Sequence, residues 1–155
     1  MGSIIFSVFD VLNLFLVLLL WIYTLRTYKK LPDKIPTHFD FEGKPDHFGK
    51  KRFTYLLPVL SAILYVAFFF ITKNPEAGNF PVEITDVNSS IQFFIMIFLM
   101  KWLLFLILLL FLNIQDYTFR YSFNAESKAR VPILIFIPFI FLSVMAAIIA
   151  AYIYR

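Results

Sequence analysis

Five side chains that could bind a metal ion or transfer protons lie together in one short segment: His38, Asp40, Glu42, Asp46 and His47. Their imidazole nitrogens and carboxylate oxygens are ligands suited to zinc or manganese. A catalytic metal site needs three such ligands, an open coordination position and a carboxylate that handles protons. The spacing matches no established zinc motif, however. A metal-dependent membrane enzyme centred on His38 and Asp46 is therefore one alternative.

The other alternative is a hydrogen-bonded loop without a metal. Asp46 would accept backbone N–H bonds in a turn and pair with Lys51, while His38 would hydrogen-bond across the loop and lock it. The sequence favours this arrangement, with no cofactor and no metal, and leaves His38 and Asp46 as the candidate ligands if a metal does bind. A loop ordered in this way could also recognise a ligand or partner.

Two charged residues, Asp10 and Lys101, lie inside long apolar stretches. An unpaired ionised side chain in the bilayer costs several kcal/mol, so such residues usually face the bundle interior and pair. Asn13 lies on the same helix face as Asp10 and could join the pair. The sequence favours a buried ion pair that fixes helix register. A small transporter that relays protons or ions through Asp10 and Lys101 is the alternative.

The elements that position these side chains are four apolar stretches, at about residues 4–25, 53–72, 91–112 and 131–154. Each has at least the roughly 20 residues that a helix needs to cross a bilayer. None alternates polar and apolar residues, which excludes barrel strands. The sequence predicts an all-α integral membrane protein, with residues 1–155 forming a single domain of four transmembrane helices. It has no cysteine for a disulfide, a thiolate metal site or a nucleophile.

The first loop, residues 31–52, is rich in proline and glycine, and we expect it to be ordered. Prolines make residues 37–42 extended, so that His38, Asp40 and Glu42 would share one face, with Phe39 and Phe41 on the other. The sequence Gly43–Asp46 reads as a turn with positive φ at the glycine. This turn would bring together the residues assigned to the site, which are Pro36, His38, Gly43, Asp46 and Lys51.

Lysines and arginines concentrate in the first and third loops, for example Lys34, Lys50, Arg52, Arg120 and Arg130. Because basic residues stay cytoplasmic, both termini are predicted to lie outside and these loops inside. We interpret the positive net charge as an orientation signal, and expect no nucleic-acid partner.

Pro58 and Pro138 lie in the second and fourth apolar stretches, at similar distances from the cytoplasmic end. Two kinks at one depth could open a cavity beneath the first loop. Ordinary membrane-helix prolines are the other interpretation, and both remain open.

The first loop resembles a family of small bacterial membrane proteins of unknown function, which also forms the N-terminal part of SdpI-type toxin immunity proteins. The residues that carry the resemblance are Leu31, Pro32, Ile35, Pro36, His38, Phe39, Gly43, Pro45, Asp46, Gly49 and Lys51, together with a weaker match over Asn79–Asn88. The resemblance implies a multi-pass protein of the bacterial inner membrane. The immunity proteins are longer and carry a further C-terminal module that this sequence lacks.

These features favour a non-enzymatic membrane module whose first loop binds a partner protein, peptide or lipid. A role in toxin immunity or sensing is what the resemblance implies. The expected partners are the lipid bilayer, a membrane protein or peptide, and a second copy of the chain.

Overall fold

The computed structural model describes residues 2–40 and 42–155. Among these residues, four helices are long and apolar enough to cross a membrane, which confirms the predicted fold class. The helices are α1 (Gly2–Tyr28), α2 (Leu56–Ile71), α3 (Ser89–Phe123) and α4 (Phe136–Ile153). The first loop forms a β-hairpin of β1 (Lys34–Phe39) and β2 (Pro45–Lys50), and short 3-10 helices span Lys51–Tyr55, Pro75–Ala77 and Ile133–Ile135.

The bundle is built around α1 and α3, which run parallel. Their contacts extend from Phe6 against Phe94 at one end to Thr24 against Gln115 at the other. Buried leucines and a valine form the core between them: Leu16, Val17, Leu104 and Leu108. Helix α2 packs against both helices, and α4 packs on α3. Most other apolar side chains point outward, as the surface of a lipid-embedded bundle requires.

Helix α3 is longer than predicted, because it continues past the apolar stretch at 91–112 to Phe123. At ~1.5 Å per residue, its 35 residues span about 52 Å, well beyond the ~30 Å hydrocarbon core. The extension contains Gln115, Asp116 and Arg120, which hydropathy alone reads as the end of a span. Each of them hydrogen-bonds to another part of the protein, so the helix continues as a support outside the apolar stretch.

Pro58 and Pro138 are each the third residue of an α-helix, within the first turn, where proline is tolerated. This position favours the interpretation of both as ordinary membrane-helix prolines. The helices are shorter at this end than the apolar stretches suggest, because a 3-10 helix precedes each one. The 3-10 helix before α2 is tied to α1 and α3 by Gln115, whose Nε2 donates to Thr24 Oγ1 and to the Thr54 carbonyl oxygen, both at 2.9 Å.

Candidate functional site

The first loop is an antiparallel hairpin whose turn is closed by Asp40. The Asp40 side chain accepts a bond from the Lys44 backbone N–H at 2.8 Å, and the Gly43 N–H donates to the Asp40 carbonyl at 2.9 Å. Gly43 has φ 77°, which confirms the predicted positive value. The turn lies earlier than the predicted Gly43–Asp46, because Pro45 begins β2, and the first residue of a strand is a position that proline tolerates.

The hairpin is held against the extension of α3. Ile35 is buried with Leu31 and Phe119 in a small apolar cluster. Nearer the turn, the Phe39 ring lies 4.6 Å from the Tyr117 ring, centroid to centroid, and the Tyr117 hydroxyl donates to the Gly43 carbonyl at 2.6 Å. The loop is therefore ordered by packing on α3. Phe41, which was expected to share a face with Phe39, lies outside the described residues.

The strand register changes where the candidate ligands lie. Pro36 faces Phe48 and His38 faces His47, after which Phe39 faces Pro45. Thr37 and Asp46 therefore have no partner residue in the ladder, which is the pattern of a β-bulge in each strand. A bulge interrupts the rule that consecutive side chains point to opposite faces. Asp46 and His47 can therefore both reach His38, although they are adjacent in sequence.

The result is a cluster of two imidazoles and one carboxylate. Oδ1 of Asp46 lies 2.6 Å from Nδ1 of His38 and 3.4 Å from Nδ1 of His47. One ligand atom from each of these three residues lies within 4.8 Å of the other two. The hydrogen bond from His38 holds the pKa of Asp46 below its ordinary value, because a donor to the carboxylate stabilises the charged form. The carboxylate is therefore available as a ligand or acceptor at neutral pH.

The remaining loop residues do not join this cluster. Lys51, which was expected to converge with His38 and Asp46, instead pairs with Asp33 at 3.1 Å and lies over the Tyr28 ring. The convergence is wrong because Lys51 follows the end of β2 at the base of the hairpin, whereas the cluster lies towards the turn. Pro36, also assigned to the site, is buried in β1.

Asp40 and Glu42, expected to share a face with His38, are bound within the turn. Asp40 accepts the Lys44 N–H, and Glu42 pairs with the Lys44 ammonium at 2.8 Å. The carboxylate of Glu42 raises the pKa of Lys44 by accepting this hydrogen bond. Because β1 ends at Phe39, Asp40 and Glu42 lie in the turn and do not continue the alternation of side chains along the strand.

Within the bundle, the structure places the Lys101 ammonium against the Asp10 carboxylate. The Lys101 side chain is 8% exposed and that of Asp10 is 36% exposed. Asn13 Nδ2 donates to the Lys101 backbone carbonyl at 3.1 Å, so Asn13 joins the crossing through the main chain. The predicted partners thus meet, at a crossing between α1 and α3.

The sequence interpretation missed Asp116, which accepts three hydrogen bonds. Its donors are the Tyr23 hydroxyl at 3.0 Å, Arg120 Nε at 2.8 Å and Arg130 Nε at 3.0 Å. Asp116 thereby links α1, α3 and the third loop beside the hairpin. The spacing of Asp116 and Arg120, four residues apart on a helix, was the available signal.

Comparison with known proteins finds a family model that matches part of the chain, and it indicates no activity. Residues 15–62, which include the hairpin, match the family described as Domain of unknown function (DUF1648). An uncharacterized protein of Archaeoglobus fulgidus is 44% identical over 62 residues, a segment that covers 40% of this chain and 34% of the relative. This chain thus matches about a third of that relative's length. No solved structure matches the chain.

Proposed function

We propose that this chain is a non-enzymatic membrane module that binds an extended, acidic polypeptide segment through the first-loop hairpin. The observation that carries the proposal is the two-sided construction of the hairpin. One side is fixed to α3 through Ile35, Phe39 and the Gly43 carbonyl. The other side presents exposed side chains, including Phe48, which is 56% exposed. A rigid support with an exposed apolar side chain is suited to recognition, because little conformational entropy is lost on binding.

The outer edge of β2 supports an extended polypeptide as the partner. In the part of the chain that the structure describes, the sheet contains β1 and β2 alone. The second edge of β2 can therefore pair with an added strand, and main-chain hydrogen bonds would supply affinity. Phe48 would then contribute a side-chain contact that gives specificity.

The charges of the hairpin support an acidic partner. Lys34 and Lys50 face each other directly across the strands, and like charges in this position are destabilising. Among the described residues, no ion pair with an acidic side chain is formed by either lysine. A carboxylate from a partner would relieve the repulsion between them.

The cytoplasmic side is part of the proposal, since basic residues in the first and third loops favour that orientation. The resemblance of the loop to SdpI-type immunity proteins supports a role in immunity or sensing, in which the partner would be a membrane-active peptide or a membrane protein. The intramembrane pair supports a structural role, because Asp10 and Asn13 each bond to Lys101 at a single helix crossing. The bundle, in this proposal, anchors the hairpin.

A photocrosslinking amino acid placed at Phe48 in living cells tests the proposal. We expect a discrete polypeptide adduct that disappears when Lys34→Glu and Lys50→Glu are introduced together. Reversing Lys73 and Arg155 to glutamate makes the same change in charge away from the hairpin and should leave the adduct intact. Ile4, 69% exposed on α1, serves as a probe of the lipid-facing surface. Adducts with lipid alone, or the same adducts from Phe48 and Ile4, would refute the proposal.

A further inference from the structure

Both histidines of this chain lie at the same point of the hairpin. The sequence contains two, His38 and His47, and the register makes them cross-strand partners with ring centroids 5.9 Å apart. Had the pairing of Pro36 with Phe48 continued without a bulge, His38 would face Asp46, and His47 would face Thr37. The two register shifts are thus what brings both imidazoles to the Asp46 carboxylate.

We propose that His38, Asp46 and His47 form a binding site for a divalent transition-metal ion such as Zn²⁺. The ligand set of two imidazoles and one carboxylate is one that zinc accepts with three protein ligands and an open fourth position. At zinc–ligand distances of about 2.0–2.2 Å, tetrahedral ligand atoms lie about 3.4 Å apart. The His47–Asp46 separation is 3.4 Å and the His38–Asp46 separation 2.6 Å, so small side-chain rotations suffice to admit the ion.

The site is supported and open to solvent. The turn is fixed by the Tyr117 bond to Gly43 and by the stacking of Phe39 on Tyr117, so the three ligands are carried on an ordered backbone. The side chains of His38, Asp46 and His47 are 65%, 39% and 78% exposed. An ion can therefore enter directly from water, and its fourth position faces outward, where water or a partner side chain can occupy it.

Metal binding goes beyond the proposed function and does not depend on it. A bound ion would replace the single His38–Asp46 hydrogen bond by three coordinate bonds across the strands. The hairpin would then be tightened beside Phe48, the residue that we propose contacts the partner. A failure to bind metal would leave the proposed recognition of a polypeptide intact, because that recognition is tested by crosslinking without added metal.

Calorimetric titration of Zn²⁺ into purified, full-length protein from which any histidine tag has been removed tests the site. We expect one ion per chain, with the affinity lowered at least tenfold by each of His38→Ala, Asp46→Ala and His47→Ala. Glu42→Ala is the matched control for Asp46→Ala, since it removes one exposed carboxylate from the same hairpin. It should leave the affinity unchanged.

The presence of two histidines allows an independent readout. In protein labelled with ¹³C-histidine, we expect the resonances of both imidazoles to shift together and to saturate at one equivalent of Zn²⁺. The spectrum of the Asp46→Ala variant, taken before metal is added, shows whether the hairpin is still formed. Binding no stronger than that of a variant lacking both histidines, or equal loss in Asp46→Ala and Glu42→Ala, would overturn the proposal.

Discussion

The attachment of the hairpin to α3 can be tested by removing one atom. Tyr117→Phe deletes the hydroxyl that donates to the Gly43 carbonyl but keeps the ring that stacks on Phe39. If this bond helps to hold the turn, the turn should open more often in the variant. Tyr121→Phe, one helical turn away, is the matched control, because the Tyr121 hydroxyl makes no hydrogen bond to the residues that the structure describes.

The expected effect follows from the contacts of Tyr117. A hydrogen bond contributes about 0.5–1.5 kcal/mol net, and a loss of 1 kcal/mol increases local opening about fivefold. Tyr117→Ala also removes a ring that is 4% exposed, for which burial and stacking together are worth about 3–5 kcal/mol. Opening should then increase by more than about two orders of magnitude or reach the limit of an unprotected loop.

Hydrogen exchange of the protein in lipid nanodiscs measures this opening. The amides of Asp40 and Gly43, which are hydrogen-bonded in the turn, should exchange faster in Tyr117→Phe and much faster in Tyr117→Ala. The Gln92 amide, bonded to Asn88 at the other end of α3, should not change. If the turn amides exchange at the original rate in both Tyr117 variants, α3 does not hold the hairpin.

Three further perturbations test individual contacts. Lys101→Ala should destabilise the bundle by about 3 kcal/mol because it leaves Asp10 without its partner, and adding Asp10→Ala should recover part of the loss. If unfolding by SDS shows no coupling energy between the two substitutions, Asp10 and Lys101 do not meet. Gly43→Ala should destabilise the turn by about 1–2 kcal/mol through its positive φ alone, because a Cβ there would have no neighbour within 4 Å. Gly43→Asn should destabilise it less. Equal exchange of the turn amides in the unmodified protein and both variants would contradict this. The pKa of the Asp46 carboxyl should lie below 3.8, so the contact with His38 should stabilise the hairpin above that pH and be lost as the pH falls through the lowered pKa. In a ¹³C titration the midpoint of Asp46 should rise towards 3.8 in His38→Ala. An unchanged midpoint would exclude the contact.

The fold was predictable because hydropathy and length report directly on the bilayer. Four stretches longer than a membrane crossing leave few alternatives, and a charge such as Lys101 within one of them requires a partner in a neighbouring helix. The end of α3 was not predictable in this way. Beyond Leu112 the helix depends on bonds made by Gln115 and Asp116 to other elements, and such tertiary contacts leave little trace in local composition.

The loop was predictable in outline but not in register. The positive φ of Gly43 and an extended stretch before it follow from glycine and proline chemistry. The cluster of His38, Asp46 and His47 does not, because strict alternation would separate Asp46 from His47. The two bulges that bring these residues together leave no mark in the positions of glycine and proline. The predicted role of Lys51 was wrong for a different reason, since Lys51 lies at the base of the hairpin and the cluster lies towards the turn.

The side of the membrane on which the hairpin lies decides whether a cytoplasmic partner can reach it. Because the chain has no cysteine, single cysteines at Ser3, Lys44 and Asn79 can be labelled without background, and all three positions are exposed. In intact cells, a membrane-impermeant thiol reagent should label Ser3→Cys and Asn79→Cys from outside, whereas Lys44→Cys should react only after the membrane is opened. Labelling of Lys44→Cys in intact cells, with the other two protected, would place the hairpin outside and contradict the account.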